Sequence, residues 1–192
     1  MDFDKLVKFI KWTGCFVRLY TKSELKGAKC EATFCVSVKG NPTISIALLG
    51  FSDDETLIHT LLHEYAHYLQ WVDGYWDKVH GKNDGWDIVD KHLRYKRKKL
   101  TGEQIKTARR TVLLLEYDAE MRAINLARFF SIHMNEADYL QSANSYMLSI
   151  KYAFENKQWK HPELDTKISR KVAGVNNLLA PLTSKEKKIM EG

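Results

Sequence analysis

The sequence has no long apolar run. No stretch without a charged residue exceeds thirteen residues; Gly40 to Ser52 reaches that length and is broken by Asn41 and Pro42. A membrane-spanning helix needs about twenty predominantly apolar residues, so none is expected. The opening Met-Asp-Phe-Asp-Lys carries acids where a secretory signal carries bases, and no apolar segment of the required kind follows. Cysteine is scarce and odd in number: Cys15, Cys30 and Cys35, with no Cys-x-x-Cys pair. Cys30 and Cys35 are five apart and fall on opposite faces of a strand, which predicts a reduced, cytoplasmic protein without a disulfide framework. Internal repeats and low-complexity blocks are lacking too. What is present is a chain of 192 residues, 44% hydrophobic, 11% aromatic and 28% charged. That is the composition of a folded globular protein. The expected organisation is one domain over 1–183 with a polar tail over 184–192.

A general excess of charge is also missing. Thirty Lys and Arg face twenty-four Asp and Glu, a net +6. Six of the bases (Lys91, Arg94, Lys96, Arg97, Lys98 and Lys99) fall within nine residues, and 30 − 6 leaves 24 against 24. The basic balance is therefore a local feature. With Trp76, Trp86 or Tyr95 to stack on bases, this run can contact nucleic acid through phosphates; a solvated linker is the plainer reading.

Periodicity divides the chain. Phe3 to Trp12 has helical spacing, with Phe3, Leu6, Val7 and Ile10 on one side. Cys15–Tyr20, Cys30–Val38 and Thr43–Leu49 are rich in β-branched and aromatic residues and predict strands. After Phe51 the period changes to helical. Ser52 with Glu55 forms a capping box for a helix reaching Val72, stopped at Asp73-Gly74. Residues 73–88, with three glycines, read as a loop or broken turns. Thr101 with Gln104 opens a helix to about Phe130, and a further helix is expected over Asn135–Phe154. Trp12, Trp71 and Trp159 read as core residues. The fold class expected is α+β: a small N-terminal mixed sheet followed by a helical body.

The informative motif is His63-Glu64-Tyr65-Ala66-His67, an HExxH. Histidines four apart project from one helix face and can share a metal ion, and Glu64, about 100° round from His63, can meet a metal-bound water without ligating. With seven His and twelve Glu, chance supplies such a motif in roughly one or two comparable chains per hundred. Placement adds weight. With His63 at 0° on the wheel, Leu57, Ile58, Leu61, Leu62, Tyr65, Tyr68, Leu69 and Val72 occupy an arc from about 120° to 260°. His63, His67, Gln70 and Glu64 occupy the other side. The plainer alternative is a pair of solvent-facing histidines.

A catalytic zinc site needs a third protein ligand. Asp73 stands where a metzincin has its third histidine. His59 lines up with His63 and His67, but three donors in a row on one helix cannot surround a tetrahedral ion. The downstream helix offers Glu116 and Glu120, four apart on one face, with Ala123 and Ala127 continuing the stripe so that another helix can approach. Two carboxylates in such a setting need a cation or donors. Zinc can take one and a ligating histidine the other. Pairing by Arg109 or Arg122 on a solvated face is the alternative.

An HExxH with a later helix bearing Glu-x-x-x-acid resembles the gluzincin zinc metallopeptidases. Glu116-Tyr117-Asp118-Ala119-Glu120 is similar to the Glu-Tyr-x-Ala-Asp of HtpX-type peptidases, with Glu120 in place of Asp; the membrane helices of that group are absent, and the likeness covers two helices. The resemblance implies Zn²⁺ held by His63, His67 and Glu116, Glu64 as general base, and Glu120 steadying a histidine. Size and charge resemble instead the short metallopeptidase-like proteins of bacteria and phages, including the SprT-like and ImmA/IrrE groups. The resemblance implies a zincin-like fold and a zinc metalloendopeptidase acting on protein or peptide in the cytoplasm, or in the host cytoplasm if phage-encoded. It also suggests an edge strand to hold an extended peptide, a role that would fall to Thr43–Leu49. His80, His92, His133, Tyr139 and Tyr146 are all candidates to stabilise an oxyanion, and spacing selects none. The rival expectation is a zinc-binding regulator, or a nucleic-acid-associated protein using the run 91–99, without general protease activity.

Overall fold

The structure, a computed structural model, describes residues 1–23, 25, 31–37, 40–80, 100–157 and 184. Helix α1 spans Phe3–Trp12, as its spacing predicts; Asp2 caps it by accepting the Lys5 N–H at 2.9 Å, and Leu6, Val7 and Ile10 are buried. Trp12 is not a core residue but 82% exposed. At ~100° per residue it lies on the far side of α1 from Leu6, Val7 and Ile10, so the helix turns it away from the packed face.

Three strands follow: β1 (Phe16–Tyr20), β2 (Ala32–Val36) and β3 (Pro42–Ala47). They form a mixed sheet in the order β1-β3-β2. β3 runs parallel to β1, with Val17 opposite Ile44, and antiparallel to β2, with Phe34 opposite the same Ile44. Thr43–Leu49 was the expected edge. It is instead central through Ala47 and is paired on both sides. Its run Ile44-Ser45-Ile46-Ala47, with three of four residues buried, suits a strand covered on both faces. Leu48–Gly50 turns into a short 3₁₀ segment, where a Cβ on Gly50 would come within 2.5 Å of the Ser23 carbonyl oxygen.

Helix α2 spans Asp54–Val72. Its cap is Asp53, one residue later than the expected Ser52: the Asp53 carboxylate accepts the Thr56 N–H at 2.7 Å and the Ser52 hydroxyl at 2.8 Å. The carboxylate is the stronger acceptor for an orphan helix N–H, and it takes the capping place. After Gly74, with φ +72°, residues Tyr75–His80 form α3 where a loop was expected. Asp73 Oδ1 accepts the Tyr75 N–H at 3.0 Å, so the residue closing α2 also opens α3. Thr101 and Gln104 make the expected reciprocal box, at 2.9 and 3.2 Å, ahead of α4 (Gly102–Phe129). α5 spans Glu136–Asn156. Among the described residues the class is thus α+β, mostly helical, and no helix is long and apolar enough to cross a membrane.

The chain divides into two compact units, and α4 contributes to both. The first holds Met1–Tyr75 and Ala119–Met134. There α1 and α2 pack on the sheet around Leu6, Ile10, Ile44, Ile46, Leu61 and Leu62, all fully buried. Tyr68 donates its hydroxyl to the Thr13 carbonyl at 2.6 Å, and Phe9 makes T-shaped ring contacts with Tyr65 and Phe130. Trp71, expected in the core, is 37% exposed; at about 80° on the α2 wheel it falls outside the apolar arc. The second unit holds Trp76–Asp118 and Asn135–Gly192. Its described core joins Ala108, Val112 and Leu113 of α4 to Met147, Leu148, Ile150 and Phe154 of α5. Arg109 reaches Glu155 beside it at 3.3 Å. Trp159, the run 91–99 and the 185–192 part of the tail lie outside the described residues.

Candidate metal centre

The HExxH lies inside α2, with His63 nine residues from its first residue and His67 five from its last. Its apolar side is anchored as the wheel predicts, with Leu61 and Leu62 at 0% exposure and Tyr65 at 3%. The polar side is not open to solvent. Glu64 and His67 are buried, Gln70 is wholly so, and His63 is half-buried. A helix covered on both sides excludes the pair of solvent-facing histidines.

Each imidazole is held at Nδ1. His63 Nδ1 lies 3.2 Å from Glu120 Oε1 on α4, and His67 Nδ1 lies 2.8 Å from Gln70 Oε1. Both acceptors are oxygens, so each Nδ1 is the donor, and a ring that is neutral then keeps its lone pair on Nε2. Those two Nε2 atoms face each other at 3.1 Å, with the rings nearly perpendicular at 88°. Two lone pairs at that distance repel unless an electrophile, a proton or a cation, lies between them. Two nitrogen donors of one tetrahedral zinc ion are about 3.3 Å apart, close to the separation found.

Glu116 precedes Glu120 by one turn of α4 and is 2% exposed. One donor atom from each of His63, His67 and Glu116 lie within 4.8 Å of one another. Two imidazoles and a carboxylate, with the fourth position left over, are the donor set of an open zinc site, so these residues fit the ion. Ala119, Ala123 and Ala127 are buried along α4, as a close helix approach requires. Of the two arginines, Arg109 reaches Glu155, and Arg122 meets Asp73 at 2.6 Å and lies over the Tyr75 ring.

His59 Nε2 sits 3.3 Å from the His133 carbonyl oxygen and 3.9 Å from Glu55 Oε1. Of the candidates for an oxyanion, the His133 ring is 88% exposed beside Glu55, and Tyr146 packs on the core of the second unit. Tyr139 is half-buried on α5. The His80 side chain and His92 lie outside the described residues. Cys15 is buried and Cys35 exposed, both free thiols; burial pushes the Cys15 thiol up to about 12. Cys30 is outside the described residues.

Sequence reasoning put Gln70 on the motif's face but gave it no role. The signal available was its spacing, three residues after His67, which places it one turn on along the same face. Compared with protein-family models, with curated proteins and with solved structures, the chain matches none.

Proposed function

We propose that the chain is a zinc-dependent metalloendopeptidase of gluzincin type with a zincin-like architecture. His63, His67 and Glu116 would hold the ion. The observation that carries this reading is the convergence of two Nε2 atoms at 3.1 Å with a buried carboxylate in the same cluster. When bound, zinc supplies Lewis-acid polarisation of a carbonyl and acidifies water. The remaining chemistry belongs to the chain. Glu64, buried beside His63 in sequence and about 100° round the helix, is the base that takes a proton on its carboxylate and returns it to the leaving amine. Glu120 accepts from His63 Nδ1 and keeps that ring turned. The substrate class is protein or peptide, the compartment implied by the scarce, unpaired cysteines is the cytoplasm, and the run 91–99 is a candidate contact for nucleic acid.

Zinc content and peptide hydrolysis test this together. About one zinc per chain is expected in the wild type, lost in Glu116→Ala. Glu64→Gln should keep its zinc and lose turnover. A wild type that takes up no zinc from excess sinks the proposal. Zinc retained with no cleavage of unfolded protein would favour a zinc-bearing regulator, and cleavage by Glu64→Gln would remove Glu64 as the base.

A further inference from the structure

Gln70 stands outside the HExxH motif and is the one polar side chain of α2 with 0% exposure among the described residues. A carboxamide so placed is costly unless it is hydrogen-bonded. Its Oε1 meets His67 Nδ1 at 2.8 Å. An acceptor there leaves the Nε2 lone pair of His67 facing His63, whereas the other tautomer would turn an N–H into that space and close it to a cation.

We infer that Gln70 is a positioning residue: it holds His67 in the Nδ1-protonated tautomer and aims Nε2 into the cluster. The inference rests on the zinc reading above for its purpose, though not for its geometry. Two features set Gln70 apart from Glu120. It lies on the same helix as the ring it orients, so this half of the cluster is built within α2, whereas His63 depends on α4. It is also neutral. Glu64, Glu116 and Glu120 are already three buried acids on these two helices, and a carboxamide orients the second ring without adding a fourth.

Two substitutions separate orientation from packing. Gln70→Met keeps the length of the side chain and removes the oxygen acceptor; Gln70→Glu keeps the acceptor. Zinc affinity is measured by competition with a chromogenic chelator, and the His67 tautomer by long-range ¹H–¹⁵N correlation on metal-free protein. The wild type should carry its proton on Nδ1. Gln70→Met should lose about 10–100-fold in zinc affinity with a mixed tautomer, while Gln70→Glu stays within about tenfold of wild type or tighter. The opposite order, with Met tolerated and Glu harmful, would show that Gln70 only fills space and would overturn the inference. So would a wild-type proton on Nε2. Should the wild type bind no zinc, the metallopeptidase reading fails by itself, and the tautomer still decides the role of Gln70.

Discussion

Removing the Glu120 carboxylate tests how much the outer partner of a histidine contributes to the site. Its Oε1 lies 3.2 Å from His63 Nδ1, with the two side chains 12% and 15% exposed, so solvent cannot replace the lost acceptor freely. Outer partners of ligating histidines typically carry about 10–100-fold in metal affinity, which is ~1.4–2.7 kcal/mol. If the site holds zinc as proposed, free zinc at about 100 times the wild-type Kd should stabilise the wild type by ~2.7 kcal/mol; after a 100-fold loss the same zinc should supply only ~0.4, and after a tenfold loss ~1.4. For a chain of this size each kcal/mol moves Tm by about 2–4 °C, so Glu120→Ala should lower the zinc-induced rise by about 3–9 °C. Two opposing effects act on the metal-free protein. The lost bond to a charged acceptor costs about 1.5–3 kcal/mol, whereas relief of the Glu116–Glu120 repulsion returns only about 0.2–0.5. The first wins, and metal-free Tm falls as well, so the readout is the zinc-induced increment and not Tm itself. Differential scanning calorimetry with and without zinc measures it. Equal increments in wild type and Glu120→Ala would refute the reasoning. A larger loss in Glu120→Ala than in Glu116→Ala would exchange the roles of the two acids.

Three further outcomes follow from local geometry. Arg122→Ala removes a 2.6 Å ion pair to Asp73 and a cation over the Tyr75 ring. With both groups partly exposed, the loss in urea unfolding should be about 1–2 kcal/mol, and no change would mean that the clamp closing α2 contributes nothing. Cys15, buried and with its thiol pushed up to about 12, should react with a thiol reagent at pH 8 only through opening of the fold, whereas exposed Cys35 reacts at once. Comparable rates would place Cys15 at the surface. Because its pKa is raised on folding, Cys15 favours the native state below the thiol's unfolded pKa and loses that effect as pH climbs toward about 12. Asp53 has the opposite sign: the Thr56 N–H and then the Ser52 hydroxyl hold its carboxylate below the usual range. Its contribution is present above its unfolded pKa and disappears as pH falls through the folded one. The stability gap between wild type and Asp53→Ala should therefore narrow from about pH 5 to about pH 3, and a constant gap would deny the cap a charged role.

Much of the fold was legible because it depends on near neighbours in sequence. The 3.6 period marks α1, α2, α4 and α5 to within about two residues, and the Thr101–Gln104 box is a contact between residues three apart. HExxH is local in the same sense, since a helix aligns His63 and His67 without help from any other element. The misses have local and non-local causes. Trp12 and Trp71 are exposed although their residue type suits a core, because the wheel places both off the packed faces. The Asp53 cap turns on which of two adjacent acceptors takes an orphan N–H, and α3 opens on the Asp73 carboxylate accepting from Tyr75. The central position of β3 is different in kind, because strand order is a property of the assembled sheet. Lys151, fully buried on α5, is a residue that its chemistry alone would place at the surface.

By itself, then, the sequence determined the class, the principal helices and the one-turn spacings of His63 with His67 and of Glu116 with Glu120. Tertiary structure decided that the motif's polar face is buried, that Glu120 meets His63 while Gln70 meets His67, and that two Nε2 atoms face each other at 3.1 Å. The physical reason is reach. Helical spacing governs residues within one turn, while the meeting of α2 with α4 depends on packing between segments about fifty residues apart in a chain whose local pattern cannot encode that distance.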